Sequence, residues 1–353
     1  MQTSITPDIS HRFANFSFLC ACMVVISHVE AAAKLTSPNA TWVADFFGGG
    51  VCSIAVPCFF LISGFFLAGH VGEPGWWPRE LRKRVPSLLI PFLLWCLFYA
   101  LFDDARLLVK AVVSGGTGGG IWSLGKPLEV FGLNPFGHPM PAGHLWYIRG
   151  LLLFIVAAPL LFLPLKRRGI ALVWLTVLLL LWAVVKPTWR EGLVTGEWGY
   201  LLRGTFSLEG VFCFVLGATL RRRMPSWHAP TWLRWCTLGA GVGLFAWVSV
   251  TALPPWVHVP AVLLTALGLW WVTPTTAWPA WLTQSAFPMY LLHLLVLFRF
   301  PLLHRHIPGL STLWGGPVGY LLQGGSAILL CVALTVAMRR FLPKPAKLLF
   351  GGR

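Results

Sequence analysis

Ala55-Val56-Pro57-Cys58-Phe59-Phe60-Leu61-Ile62-Ser63-Gly64-Phe65-Phe66-Leu67-Ala68-Gly69 carries no side chain charged at neutral pH, and no Asp, Glu, Lys or Arg occurs between Phe46 and Gly69. A helix needs about 20 predominantly apolar residues to cross a bilayer. This stretch therefore reads as a membrane span, and a search for others of its kind decides the fold. Nine more apolar runs of comparable character surround it. The ten predicted spans are 13–31, 48–69, 85–102, 146–165, 170–185, 204–220, 232–251, 257–273, 283–300 and 317–338. Polar breaks separate them, among them Glu73-Pro74-Gly75, Lys166-Arg167-Arg168 and Arg221-Arg222-Arg223.

Composition agrees. Of 353 residues, 57% are hydrophobic and only 11% charged, with a mean hydropathy of +0.74. Soluble domains carry roughly 25% charged residues, so an ordinary soluble enzyme is excluded, as is a disordered chain. The net charge of +16 has no long basic patch on a soluble domain to carry it, which argues against nucleic-acid binding. The expected fold class is all-α: a polytopic membrane helix bundle of about ten transmembrane helices, forming a single domain over 1–353. The first apolar run carries His28 and lacks a small-residue cleavage site, so it reads as a span and not as a secretory signal.

The basic residues orient the bundle. One set of loops and ends holds 17 Lys and Arg, and the opposite set holds 9, with Arg149 inside a span. The richer side is expected to be cytoplasmic, which puts both termini inside. The longest outer loop, 103–145, contains the glycine-rich stretch 114–120. That stretch lacks the Lys-Ser/Thr ending of a phosphate-binding loop and reads as a linker. The eight cysteines sit mostly in apolar runs and form no CxxC pair, which suits small buried residues and no metal site.

Ionisable residues inside spans are costly and mark functional candidates. At 1.5 Å per residue, His28 lies about 24 Å above Arg12, close to the outer surface. Arg149 falls near the outer start of its span. Glu209 is a few residues inside the next outer entry, and His293 is at middle depth. An arginine, a carboxylate and two imidazoles at middle and outer depth suit proton transfer at a hydroxyl or carbonyl. The same set suits a proton-coupled transporter or exporter of a polar solute or glycan. A third reading is a membrane module that binds amphiphiles without turnover.

Five motifs, in order along residues 12–300, resemble the acyltransferase-3 family. They are Phe13-Ala14-Asn15-Phe16 with Met23-Val24-Val25-Ile26-Ser27-His28, the span Val56–Phe66, Arg82-Lys83-Arg84 followed by Pro91, His144-Leu145-Trp146-Tyr147-Ile148-Arg149, and Met289-Tyr290-Leu291-Leu292-His293. Two positions depart from many members: Ser17 stands where they carry an arginine, and Pro57 where they carry an aspartate. The resemblance implies an integral membrane O-acyltransferase that moves acyl groups, usually acetyl, from cytoplasmic acyl-CoA to hydroxyls of surface glycans. It implies that His28 is the catalytic histidine and that Arg82 and Arg84 serve the donor.

Beside that resemblance, the residues carry expectations of their own. Arg79, Arg82, Lys83 and Arg84 form an inner-surface cluster able to meet the phosphates of acetyl-CoA, with positive-inside anchoring as the plainer role of Arg79 and Lys83. Ser63 is expected to line the donor path and Gly64 to permit close backbone approach. Glu209 is expected to orient an imidazole and Arg149 to stabilise an oxyanion. Trp146, Tyr290 and His293 are the expected substrate-binding residues. The expected partners are acyl-CoA, a glycan or lipid-linked sugar acceptor and membrane lipids, with no metal and no nucleic acid. The expected location is a cell membrane, crossed many times, of the bacterial inner or cytoplasmic type.

Overall fold

The computed structural model describes residues 5–29, 38–114, 127–133, 142–191, 207–223, 229–251, 255–300 and 316–352. Helix dominates these, and no strand occurs among them. Each of the ten expected spans coincides with a helix. Pro7–Ser27 (α1) is followed by Pro38–Ala44 (α2), Ala55–Ala68 (α3), Trp76–Arg84 (α4), Ile90–Ser114 (α5) and the short Pro127–Val130 (α6). Then come Trp146–Leu161 (α7), Arg168–Glu191 (α8), Leu208–Arg223 (α9), Thr231–Val250 (α10), His258–Val272 (α11), the short Ala280–Thr283 (α12), Ala286–Leu297 (α13), Pro317–Phe341 (α14) and Pro343–Leu349 (α15).

Among the described residues, six helical stretches are long and apolar enough to cross a membrane: Pro7–Ser27, Asn39–Ala68, Trp76–Val113, Gly143–Leu161, Thr231–Val250 and Pro317–Phe341. Three more, Arg168–Ala183, His258–Val272 and Ala286–Leu297, are apolar but shorter. The helix at the sixth expected span, α9, has 16 described residues and ends on Arg221, Arg222 and Arg223. Residues 204–206 and most of the glycine-rich stretch 114–120 lie outside the described residues.

Local sequence explains where helices begin. Pro7 occupies the first turn of α1, where its missing N–H costs nothing, and the Thr6 hydroxyl accepts from the Ile9 amide at 3.4 Å. Gly75 precedes α4 with φ of +63°, a left-handed conformation that glycine adopts freely. Ser207 caps α9 by accepting from the Gly210 amide at 3.0 Å, the usual role of serine there. Valines and leucines on the helix surfaces, such as Val112, Val113, Leu160 and Leu329, are more than 70% exposed. Apolar surface of this extent is what lipid, and not water, covers.

Packing divides the chain into two compact units. One comprises 1–69 and 217–343, the other 70–216 and 344–353, with the boundary inside α9. In the first unit α1 packs against α3, α13 and α14. Phe13 of α1 meets the rings of Phe65, Phe66 and Trp270 at 4.6–4.9 Å. Fully buried Asn15 donates to the carbonyls of Pro274 and Thr276, at 3.0 and 2.8 Å, and ties α1 to the link after α11. Helices α10 and α11 pair through small residues: a Cβ on Gly241 would collide with Thr265, and one on Gly268 with Leu238. Close approach at glycine is the standard route to tight helix pairing in lipid.

In the second unit the indole of Trp95 in α5 donates to the Leu349 carbonyl, and that of Trp77 in α4 to the Ile155 carbonyl, each at 3.1 Å. Phe214 of α9 stacks on Phe162 and tilts against Phe154. All eight cysteines are free thiols. Six are buried, Cys22 is partly covered and Cys236 is exposed.

Candidate functional site: a histidine pair at the end of the first span

His28 closes α1. It is half-buried and its backbone has φ −98° and ψ 0°. Its Nδ1 lies 2.8 Å from the Val24 carbonyl oxygen and 3.2 Å from Ser27 Oγ. A carbonyl only accepts, so the hydrogen of the neutral ring resides on Nδ1 and the lone pair on Nε2. The Ser27 hydroxyl donates to the same Val24 carbonyl at 2.8 Å. The hydrogen bond at Nδ1 that orients this imidazole is thus supplied by α1's own backbone.

His293, on α13, is fully buried. Its Nδ1 makes the same contact, 2.8 Å from the Tyr290 carbonyl oxygen, so its lone pair also sits on Nε2. The two imidazoles meet edge to face, centroids 4.9 Å apart and planes at 68°. The Tyr290 ring, 4% exposed, lies 6.1 Å from that of His293.

The end of α1 is held from α14. The hydroxyl of buried Tyr320 donates to the Ile26 carbonyl at 2.8 Å. That hydroxyl fits only because residue 48 is glycine: a Cβ there would lie 2.8 Å from the tyrosine oxygen. Sequence reasoning did not single out Tyr320 or Ser27. The available signal was a tyrosine in an apolar span, whose buried hydroxyl must find a partner.

Ser63 is half-buried on α3. Gly64 beside it is buried on the same helix, and α9 comes close to α3 at Gly217, where a Cβ would collide with the Leu61 carbonyl and press on the Phe65 amide. His28, Ser63, Tyr290 and His293 all belong to the first unit, where the structure brings His28, Tyr290 and His293 together.

The remaining predicted residues belong to the second unit. Arg149 is 6% exposed and donates to the Gly132 carbonyl at 2.8 Å. Nearby in the chain, buried His144 packs edge-on against Tyr99 at 4.8 Å. Trp146 opens α7 and is half-buried. Glu209 is half-buried in the first turn of α9, where a carboxylate complements the helix dipole.

The basic cluster on α4 divides by role. Glu80 is buried and draws Lys83 at 2.7 Å and Arg84 at 3.2 Å. Arg79 pairs with Glu73. His70 stands 3.7 Å from Glu73 and 3.9 Å from Glu80. Arg82 is exposed, and at two residues from Glu80 it stands on a different face of α4 from that carboxylate.

A half-buried imidazole with its proton fixed on Nδ1 and its basic nitrogen released is equipped for general-base catalysis at a hydroxyl. No curated protein and no solved structure matches the chain. A family model described as an acyltransferase domain matches residues 18–336, a range that includes His28, the span around Ser63, Arg149 and His293. The chain therefore belongs to the acyltransferase-3 family and is a multi-pass membrane acyltransferase.

Proposed function

We propose that the protein is an O-acetyltransferase that carries an acetyl group from cytoplasmic acetyl-CoA to a hydroxyl of an extracytoplasmic carbohydrate. The observation that carries this reading is the 2.8 Å contact between His28 Nδ1 and the Val24 carbonyl. It holds Nε2 deprotonated and ready to take a hydroxyl proton. As the hydroxyl oxygen bonds to the acyl carbon, His28 Nε2 receives the proton. When the carbon–sulfur bond breaks, the imidazolium returns a proton to the departing thiolate. His293, edge-on to His28, keeps the ring in place and supplies a second neutral imidazole beside the charge that forms.

On the donor side, exposed Arg82 fits a phosphate of the donor. Arg84 and Lys83 are already engaged with Glu80 and serve chiefly to hold α4. We read the ten helices as ten crossings with both termini inside, in a bacterial cytoplasmic membrane, which places the acceptor outside.

The test is consumption of acetyl-CoA by the purified protein, with His28→Gln beside wild type. Loss of a general base costs about 10²–10⁴-fold. If the wild type leaves acetyl-CoA intact in the presence of glycan acceptors, the acetyl reading fails. If His28→Gln retains more than about a tenth of the rate, His28 is not the base.

A further inference from the structure

The 30-residue apolar helical stretch Asn39–Ala68 is not one regular helix. Asp45–Gly50 is wound as π-helix, and Val51–Ile54 follows as 3₁₀-helix. Inside an apolar span such a break displaces backbone hydrogen bonds that lipid cannot replace, and π-turns are found preferentially at functional sites. Here the break is stabilised by glycines. Gly48 makes room for the Tyr320 hydroxyl, and Gly50 lies against the Asp45 carbonyl and the Phe245 side chain.

What the break presents is Ser53. Its Oγ lies 3.4 Å from Nε2 of His258, the first residue of α11. Both residues are half-buried. The His258 ring is fixed edge-on against fully buried Phe245, centroids 5.3 Å apart at 73°. A serine hydroxyl within reach of an imidazole nitrogen is the core of nucleophilic acyl transfer, and such pairs are looser before substrate arrives. The His28 chemistry makes no use of this pair.

From this geometry we infer that Ser53 and His258 form a second acyl-handling site, in which Ser53 is a nucleophile that takes a short acyl group from an ester or thioester. The Ser53 oxygen bonds to the acyl carbon while its proton passes to His258 Nε2. The carbon–oxygen or carbon–sulfur bond of the donor breaks, and the leaving group departs with the proton from His258. Water or a carbohydrate hydroxyl then attacks the acyl-serine, loses its proton to His258, and Ser53 is released with its own proton restored. The inference rests on the acyltransferase reading for its acyl donors, but the pair can be probed without acetyl-CoA.

The experiment treats the full-length protein in detergent with p-nitrophenyl acetate, followed by rapid acid quench and peptide mass spectrometry. The wild type should carry one acetyl group on the peptide that contains Ser53. Ser53→Ala should lose it, and His258→Gln should acquire it about 10²–10⁴-fold more slowly. His28→Gln should label like the wild type. Absence of label on Ser53 in the wild type overturns the inference, as does labelling of His258→Gln at the wild-type rate. The first readout uses the wild type alone, so poor folding of a variant does not affect it. Acetyl-CoA consumption is followed in parallel. Consumption without label on Ser53 rejects this site alone, whereas label without consumption rejects the acetyl-CoA reading alone.

Discussion

The imidazole of His28 stands edge-on to that of His293, centroids 4.9 Å apart, and each ring is tied through Nδ1 to a carbonyl of its own helix at 2.8 Å. Two rings so placed present basic nitrogens in one neighbourhood but differ in burial. His28 is half-buried, and His293 is fully buried.

That difference predicts different losses. His293→Ala removes a buried ring that packs on His28 and leaves a cavity, which should destabilise the protein by about 2–4 kcal/mol. Its effect on rate should be milder than that of His28→Gln, roughly 10-fold against the 10² or more of a lost base. Thermal unfolding in detergent and initial rates check both halves. A His293→Ala protein of unchanged stability but with no activity would exchange the two roles.

Tyr320→Phe removes one hydroxyl and nothing else. The Ile26 carbonyl loses a donor two residues before His28. The stability cost should be about 0.5–1.5 kcal/mol, the net value of one hydrogen bond. Because Ile26 lies in the turn that ends at His28, kcat should fall several-fold while the KM for acetyl-CoA stays unchanged. A rise in KM with intact kcat would show that Tyr320 bears on substrate and not on the histidine.

Two glycines give opposite expectations. Gly217→Ala sets a methyl group against the Leu61 backbone. Backbone cannot move aside as a flexible side chain does, so the cost should be about 1–3 kcal/mol or more. Gly243→Ala, in α10, meets nothing within 4 Å. In a helix interior it should be neutral or stabilising by up to about 1 kcal/mol. Unfolding midpoints of the two variants, measured side by side, check the sign of each.

The helices were legible because apolar runs and basic breaks are properties of composition, and lipid imposes them on every span. His28 and His293 drew notice in the sequence because an ionisable group within an apolar run is costly. The bond that orients His28 was not legible, since a backbone carbonyl at i−4 leaves no mark in the residue types. The close contact at Gly217 was not legible either, since only the packing of α9 on α3 brings it against the Leu61 backbone. The interruption at 45–54 was visible only as Gly48-Gly49-Gly50, a run that a flexible linker also explains. Glu80 and Arg84 stand at i and i+4, a spacing that announces a helical pair, yet the sequence reading assigned Arg82 and Arg84 alike to the donor and passed over Glu80.

Topology supplies an independent check on the proposed crossings. Reporters fused after Arg168 and after Arg223 should read cytoplasmic, and one inserted within 115–120 should read external. Basic residues favour the inner side, and the first two sites follow three consecutive cations each. An external signal after Arg223 would remove α9 from the set of crossings and reverse the side assigned to every later helix.

The α4 cluster allows donor binding to be separated from anchoring by single substitutions. Arg82→Gln removes an exposed cation that stands on a different face of α4 from Glu80. If it meets a donor phosphate, the apparent KM for acetyl-CoA should rise about 5–20-fold with kcat little changed, because contacts remote from the reacting bond are largely uniform binding. Arg84→Gln instead strips a cation from buried Glu80, leaving Lys83 as its close basic partner on α4. The cost should be about 1–3 kcal/mol of stability, below that of a fully buried pair because the Arg84 side chain is 27% exposed. The diagnostic third variant is Glu80→Gln, which releases Arg84 and Lys83 together. It should destabilise α4 yet leave the KM for acetyl-CoA no higher than in the wild type, since two cations become available on the donor side. A KM that rises in Glu80→Gln as much as in Arg82→Gln would mean that the arrangement of α4, and not the charge of Arg82, governs the donor.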